Sequence, residues 1–378
     1  MRFTKYNSID DISKVPNMDK YLKVFYSEYL LSLYPKELSA LPLARQEQVG
    51  KTPWNEPFSV AVDQLMDAVN LVMDLTVNHI RRAISLWNPK EDWTIEKEEK
   101  NGMGGKDSVF LIAPSISEIE KDKEKKPAVI ICPGGGYEAV CFSGEGTPIM
   151  HYMEAQGYRA FILKYRVAPA MYPAPHEDLA LAIQYVRANA EEYGIDENDI
   201  MILGASAGGH LCSSFAALYE EAAQSAYKQL KETDAQLAER LEAVSARPDK
   251  VCLCYPVISL VQEAHEGSAI ALTGKREDLK EYLSVENLVD TSYPPTFVWT
   301  CADDDCVLPS NAKRMGDALK KAGVPYELHI YPSGGHGCAL AFSKEAYDWS
   351  RAMIEFFRGF EFTHHWSHSL TEPEQRDH

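Results

Sequence analysis

The stretch that most constrains this chain runs from Asp199 to His210 and reads Asp-Ile-Met-Ile-Leu-Gly-Ala-Ser-Ala-Gly-Gly-His. Its four consecutive apolar residues, 200–203, have the length of a short buried strand, and a helix-like run begins near His210. Gly204-x-Ser206-x-Gly208 lies between them. A strand that turns into a helix within so few residues forces its central residue into a strained conformation, which only small neighbours tolerate. That turn lifts the Ser206 hydroxyl clear of the backbone, at the positive end of a helix. Three small residues in this pattern recur by chance in long chains. The strand before them and the helix after them make the pattern a nucleophile elbow.

Around this turn the apolar periods alternate. Strand-like runs fall at 108–113, 128–132, 160–164, 200–203, 251–255, 296–300 and 327–331, and helical spacing at 177–190, 210–221, 310–322 and 343–358. Such alternation predicts an α/β fold with a mostly parallel central sheet and helices on both faces. Sheets of that kind carry their sites at the carboxyl ends of the strands, where Ser206 falls.

Residues 1–91 read as a helical extension, with Met18, Tyr21, Leu22, Phe25, Tyr29 and Leu33 on one stripe. After a turn at 54–57, a second stripe runs from Val60 through Val77 to Ile80 and Ile84. These helices either pack against the catalytic domain at 92–360, cover its site as a cap, or form a homodimer surface. Charged, Ala- and Glu-rich 220–247 and the segment 261–292 are insertions. The polar tail at 361–378 contains His364, His365 and His368 and reads as a frayed end.

The 378 residues carry 38 Lys and Arg against 56 Asp and Glu, a net charge of −18. That balance argues against nucleic acid or an anionic membrane surface as partner. The N-terminus lacks an apolar h-region, and no run is long enough to span a bilayer, so neither a signal peptide nor a membrane anchor is expected. The 8 cysteines show no C-x-x-C pair or zinc-like spacing, which fits a reduced, cytoplasmic protein with no metal and no cofactor.

A serine hydroxyl needs a general base within hydrogen-bond reach. His336 lies between glycines on the loop after the last strand, Tyr-Pro-Ser-Gly-Gly-His-Gly at 331–337. Its rivals are less well placed: His210 opens the helix behind the serine, His176 precedes a helix, and His329 is inside a strand. The imidazole needs a carboxylate to orient it, expected after the penultimate strand. Asp303, Asp304 and Asp305 stand there in a row. Asp303 comes first after the strand and is preferred, with Asp304 next. The oxyanion of a tetrahedral intermediate needs backbone donors. Ala207 follows the nucleophile, and Gly135 and Gly136 lie in Cys-Pro-Gly-Gly-Gly-Tyr after another strand. Tyr137 and Phe142 are candidate pocket residues.

With these residues in place the chain resembles the α/β-hydrolase esterases, in the acetyl-esterase and acetylxylan-esterase-like branch near the hormone-sensitive-lipase group. The matching blocks are Cys-Pro-Gly-Gly-Gly-Tyr (132–137), Lys-Tyr-Arg-Val-Ala-Pro (164–169), Tyr-Pro-Ala-Pro (172–175), Gly-Ala-Ser-Ala-Gly-Gly-His-Leu (204–211), Cys-Tyr-Pro-Val-Ile-Ser (254–259) and Gly-Gly-His-Gly (334–337). The resemblance covers about residues 92–360 and implies a serine, aspartate and histidine triad with the glycine loop as oxyanion hole. It departs at Pro133, where lipase-like relatives have histidine, so this loop must be braced differently. The expected activity is hydrolysis of a small-molecule ester, an acetyl or other short acyl group on a sugar or small alcohol. A serine amidase or exopeptidase is the alternative, for which Glu138 or Glu145 would hold the substrate amine.

Overall fold

The computed structural model describes residues 2–46, 50–52, 57–121, 124–341 and 344–369. Eight strands form one sheet: β1 (Ala83–Ser85), β2 (Phe110–Ile112), β3 (Lys126–Cys132), β4 (Arg159–Lys164), β5 (Ile195–Ala205), β6 (Lys250–Cys254), β7 (Thr296–Cys301) and β8 (Tyr326–Tyr331). Their order is β1-β2-β4-β3-β5-β6-β7-β8. β1 and β2 run antiparallel at one edge, and β3 to β8 are parallel. Every residue of β4, β6 and β7 is buried, as a sheet covered on both faces requires. The edge strand β8 is only partly buried, and its alternating polar residues Glu327 and His329 fit that position.

The principal helices are α1 (Met18–Phe25), α2 (Phe58–Thr76), α3 (Thr147–Ala155), α4 (Ala174–Ala188), α5 (Ala207–Thr233), α6 (Ser310–Ala322) and α7 (Trp349–Ser369). Most boundaries fall within a few residues of the sequence expectation. Helix α5 runs deep into the expected insertion, with Leu218 non-helical inside it, and a separate helix, Ala235–Glu242, follows. The expected start of the last helix at 343 and the turn at 54–56 lie outside the described residues. So does the end of the tail, 370–378, whereas 361–369, expected to fray, continue α7. The side chains of His364, His365 and His368 are likewise outside the description.

One expectation needs correction. The apolar stripe of α2 stops at Thr76 rather than reaching Ile84. His79 adopts a left-handed φ of 52°, and the amides of Ile80 and Arg81 turn back to donate to the carbonyl of Asp74. Ile84 then enters β1, opposite Leu111 of β2. A residue that fits a 3.6-residue period by number had already left the helix.

The sheet separates two cores. On one face α4 and α5 pack over Ile130, Leu163, Ile202 and Leu253. On the other, Leu22 and Phe25 of α1 and Leu65, Val69 and Val72 of α2 pack with Ile131, Phe142, Ile162 and Trp349. The apolar faces of both N-terminal helices are thus buried within the chain. Burial of a large apolar side chain stabilises by about 1.5–3 kcal/mol, which anchors these helices against the catalytic sheet. Among the described residues no helix is long and apolar enough to cross a membrane.

Candidate active site

The elbow is built by steric necessity. Ser206 sits at φ 54° and ψ −120° between β5 and α5. Such a conformation costs about 1–3 kcal/mol and persists only where the surroundings enforce it. Here the amide of Ser206 donates to Cys254 at 3.0 Å, and its carbonyl accepts from His210 at 3.1 Å and Val257 at 3.2 Å. A Cβ at Gly204 would lie 2.1 Å from the carbonyl oxygen of Gly208, and one at Gly208 would lie 2.0 Å from that of Cys132. Both glycines are therefore fixed by close approach of backbone to backbone.

His336, on the loop after β8, meets this serine. Ser206 Oγ donates to His336 Nε2 at 2.8 Å. On the other side of the ring His336 Nδ1 donates to Asp304 Oδ2, also at 2.8 Å. The Asp304 side chain is fully buried, and its Oδ1 accepts the amides of Cys306 and Val307, each at 3.0 Å. The ring of Tyr255 packs edge-on against the imidazole with centroids 5.0 Å apart. The elements of nucleophilic catalysis are thus in hydrogen-bond contact across three separate loops.

The preference for Asp303 is overturned in favour of the second choice. Asp303 points away from the imidazole, and its Oδ1 accepts the amides of Gly334 at 2.9 Å and Gly335 at 2.8 Å. These amide bonds, that of Gly335 foremost, hold its carboxyl below the usual aspartate range. Asp303 braces the loop that carries His336, and Asp304 touches the ring. The rival histidines are committed elsewhere. His210 contacts Tyr137 Oη and the Leu283 carbonyl, each at 2.9 Å, and His176 contacts Ser214 at 2.8 Å.

Gly135 and Gly136 follow β3 with φ of 128° and 66°, conformations that glycine adopts without side-chain strain. Both line the same cavity as Ser206 and His336. Among the described residues the amides of Gly135, Gly136 and Ala207 have no hydrogen-bond acceptor, so all three retain a donor. Pro133 supplies no imidazole, and other groups hold the loop. Gly134 donates to Glu145 Oε2 at 2.7 Å, Tyr165 Oη donates to the Pro133 carbonyl at 2.6 Å, and Ala168 donates to the Tyr137 carbonyl at 2.8 Å.

Sequence reading missed this role of Glu145. Its Oε1 accepts from Tyr255 Oη at 2.9 Å, and that hydroxyl oxygen accepts from the amide of Ala339 at 3.0 Å. One buried carboxylate therefore ties the glycine loop to the loop that carries His336. Burial pushes its carboxyl up, against the opposing effects of His336, Tyr255 and Gly134. Glu145 lines the cavity with each oxygen already engaged by one of these groups, whereas exposed Glu138 does not line it. Tyr137 is also corrected: it is buried behind the loop, where its hydroxyl meets His210, and does not line the cavity. Phe142 does line it.

The cavity measures 720 Å³, within the roughly 300–1,000 Å³ usual for small-molecule sites. Lys23, Val24, Ser27 and Leu30 from the first helices and Gln64 of α2 form one wall, and His265 lies in the segment after β6. The N-terminal extension therefore borders the same space as Ser206. Among the described residues no group of three or more His, Cys, Asp or Glu side chains is placed to hold a metal ion.

A model of the BD-FAE family matches residues 116–319. The chain is 31% identical over 249 residues to endo-1,4-beta-xylanase B of Butyrivibrio fibrisolvens, covering 64% of this chain and 37% of the relative. It is 31% identical over 218 residues to the acetylxylan esterase of Xylanibacter ruminicola, covering 56% of this chain and 40% of the relative. The matched region thus spans about two-fifths of the length of these curated relatives. Among solved structures, the acetyl ester-xyloside bifunctional hydrolase of Caldicellulosiruptor lactoaceticus superposes with a TM-score of 0.61 at 36% identity, covering 74% of this chain and 96% of that one. The fold is that of the α/β-hydrolases.

Proposed function

The chain belongs to the BD-FAE family, and from that premise we propose that it is a serine carboxylic ester hydrolase that removes a short acyl group, acetyl foremost, from a sugar or another small alcohol. The single observation that carries the reading is the continuous hydrogen-bonded chain from Ser206 through His336 to Asp304, with Ser206 and His336 lining one cavity. The relatives named for acetylxylan and acetyl ester-xyloside hydrolysis support the choice of acyl and alcohol.

In this reading His336 Nε2 takes the Ser206 proton as Oγ attacks the ester carbonyl. The oxyanion that forms is met by the free amides of Ala207 and of Gly135 or Gly136, each worth about 3–4 kcal/mol at the transition state. His336, now an imidazolium held by Asp304, gives its proton to the departing alcohol. Water, activated by the same ring, attacks the acyl-serine and frees the acid. Val24, Tyr26, Leu30, Met103, Val140 and Phe142 give the cavity an apolar wall. The polar side chains of Gln64, Glu98 and Lys164 interrupt it, and Cys141, Ser143, Gly144 and Cys306 are small. That mixture supports a short acyl group better than an extended alkyl chain, which would gain about 0.8 kcal/mol for each methylene buried in a continuous apolar trough. The reading includes a reduced, cytoplasmic setting, which eight free cysteines support.

Chromogenic esters from acetyl to octanoyl, run beside acetylated xylo-oligosaccharides, test the proposal. Turnover that is highest with acetyl to butyryl esters and present on the sugar acetates is expected, with all of it lost in Ser206→Ala. An optimum at octanoyl, or activity retained without Ser206, would overturn it.

A further inference from the structure

Along the wall of the cavity that holds Ser206, several polar groups have hydrogen-bonding capacity that the fold leaves unused. Glu98 comes from the helix Ile95–Asn101 and lies over Lys164 at the end of β4, with Lys164 Nζ 3.2 Å from Glu98 Oε1. The ammonium also donates to the carbonyl of Ser108 at 3.1 Å. An ammonium has three N–H bonds, so one remains. The other carboxylate oxygen, Glu98 Oε2, is buried and has no hydrogen-bond partner among the described residues. A buried acceptor left unpaired is costly, and in a folded protein it calls for an explanation. Both residues line the cavity that holds Ser206 and His336.

Two further side chains on this cavity also have spare capacity. Gln64 of α2 has its amide nitrogen 3.7 Å from where a Cβ on Gly144 would stand, and among the described residues that amide makes no hydrogen bond. His265 accepts from the Ser268 amide through Nδ1 at 3.2 Å, which leaves the hydrogen of the neutral ring on Nε2. The wall therefore offers a carboxylate acceptor beside an ammonium donor, with an amide and an imidazole N–H elsewhere along it.

Resting on the ester-hydrolase reading above, we infer that Glu98 and Lys164, with Gln64, form a carbohydrate hydroxyl subsite that selects a polyhydroxylated alcohol on the leaving-group side of the ester. One hydroxyl of a vicinal diol donates to the Glu98 carboxylate, and its neighbour accepts from the remaining N–H of Lys164. A planar aryl or alkyl alcohol has no hydroxyls to give this pair and leaves it unsatisfied. The pair lies on the helix and strand where the N-terminal segment meets the catalytic sheet. Gln64, on α2, is the one member of the set that belongs to the N-terminal extension, and through it the extension takes part in choosing the alcohol, beyond closing the core.

The test compares kcat/KM for an acetylated xylo-oligosaccharide with that for p-nitrophenyl acetate in wild type, Glu98→Gln and Gln64→Leu. The ratio of the two values is the readout, because a general loss of folded enzyme lowers both alike. Loss of a hydrogen bond to a charged partner predicts a ratio lowered roughly ten- to a hundredfold in Glu98→Gln, carried by KM. Gln64→Leu, on a half-buried position of α2, should lower the ratio about fivefold, the size of a neutral hydrogen bond. Equal losses on both substrates, or an unmoved ratio in both variants, would overturn the subsite while leaving the esterase reading intact. Wild-type turnover of p-nitrophenyl acetate with none on the sugar acetate would instead remove the carbohydrate reading and the subsite with it.

Discussion

Replacing Asp304 with asparagine should cost about 10⁴ in kcat, whereas the same change at Asp303 should cost less than about tenfold. The difference follows from which atoms each carboxylate serves. Asp304 Oδ1 accepts two amides, from Cys306 and Val307, and Oδ2 receives the His336 Nδ1 hydrogen. In Asp304→Asn the side-chain oxygen must stay with the two amides, which have no other acceptor. The new NH₂ then faces His336 and makes Nδ1 an acceptor. The ring hydrogen moves to Nε2, the atom that must take the proton from Ser206, and the base is lost. A factor of 10⁴ corresponds to about 5.4 kcal/mol of transition-state stabilisation. Asp303 Oδ1 accepts the amides of both Gly334 and Gly335, a task an asparagine oxygen performs equally well. The assay is kcat and KM on p-nitrophenyl acetate for both variants, with thermal melting to confirm that each is folded. Equal losses, or a folded Asp304→Asn enzyme that keeps a tenth of its activity, would refute the reasoning.

Other consequences of the structure are open to simple measurement. Glu145→Leu leaves the amide of Gly134 and the O–H hydrogen of Tyr255 without an acceptor, each costing about 1–3 kcal/mol; a melting temperature unchanged from wild type would show that the two loops are not tied through this carboxylate. Gly204→Ala places a Cβ 2.1 Å from the Gly208 carbonyl oxygen and should abolish soluble expression or collapse the melting temperature, so a stable variant would contradict the elbow geometry. Burial holds His210 down to about 4 from its ordinary 6.5. A histidine kept neutral by the fold stabilises fully above 6.5 and loses that contribution as pH falls toward 4, by about 1.4 kcal/mol per pH unit. His176, lowered to about 3, acts in the same direction. Melting temperature should therefore already decline between pH 6.5 and 5, and a flat profile there would count against the buried neutral rings.

The fold and the nucleophile were legible because each rests on local pattern. Apolar runs bounded by turns marked β3 to β8. Gly204 and Gly208 announced the elbow because no other residue fits against a backbone carbonyl at those points. His336 followed from chain order and its place after the last strand. What sequence left open depends on direction rather than position. Three consecutive aspartates carry the same chemistry, and only the turn after β7, where the amide of Asp304 donates to Cys301 at 3.3 Å, decides which one faces the ring. The pairing of Asp304 with the amides two and three residues on is the local signal that could have favoured it. Glu145 read as a candidate partner for a substrate amine, because its actual partners, Gly134 and Tyr255, lie 11 and 110 residues away. Tyr137 looked like a pocket residue because an aromatic beside an oxyanion loop reads the same whether it faces substrate or, as here, His210 behind the loop. Ile84 followed the period of α2 and was assigned to it, though tertiary pairing with Leu111 claimed it for the sheet.

The account's central claim is that Ser206 carries the acyl group during turnover. Rapid mixing of the enzyme with an excess of an acetyl ester, acid quenching within the first turnover and peptide mass mapping test this directly. The peptide containing Ser206 should gain the mass of one acetyl group in a burst that precedes steady state, and no such species should form in Ser206→Ala. Acetyl found on another residue, or wild-type turnover by the Ser206→Ala protein, would contradict it.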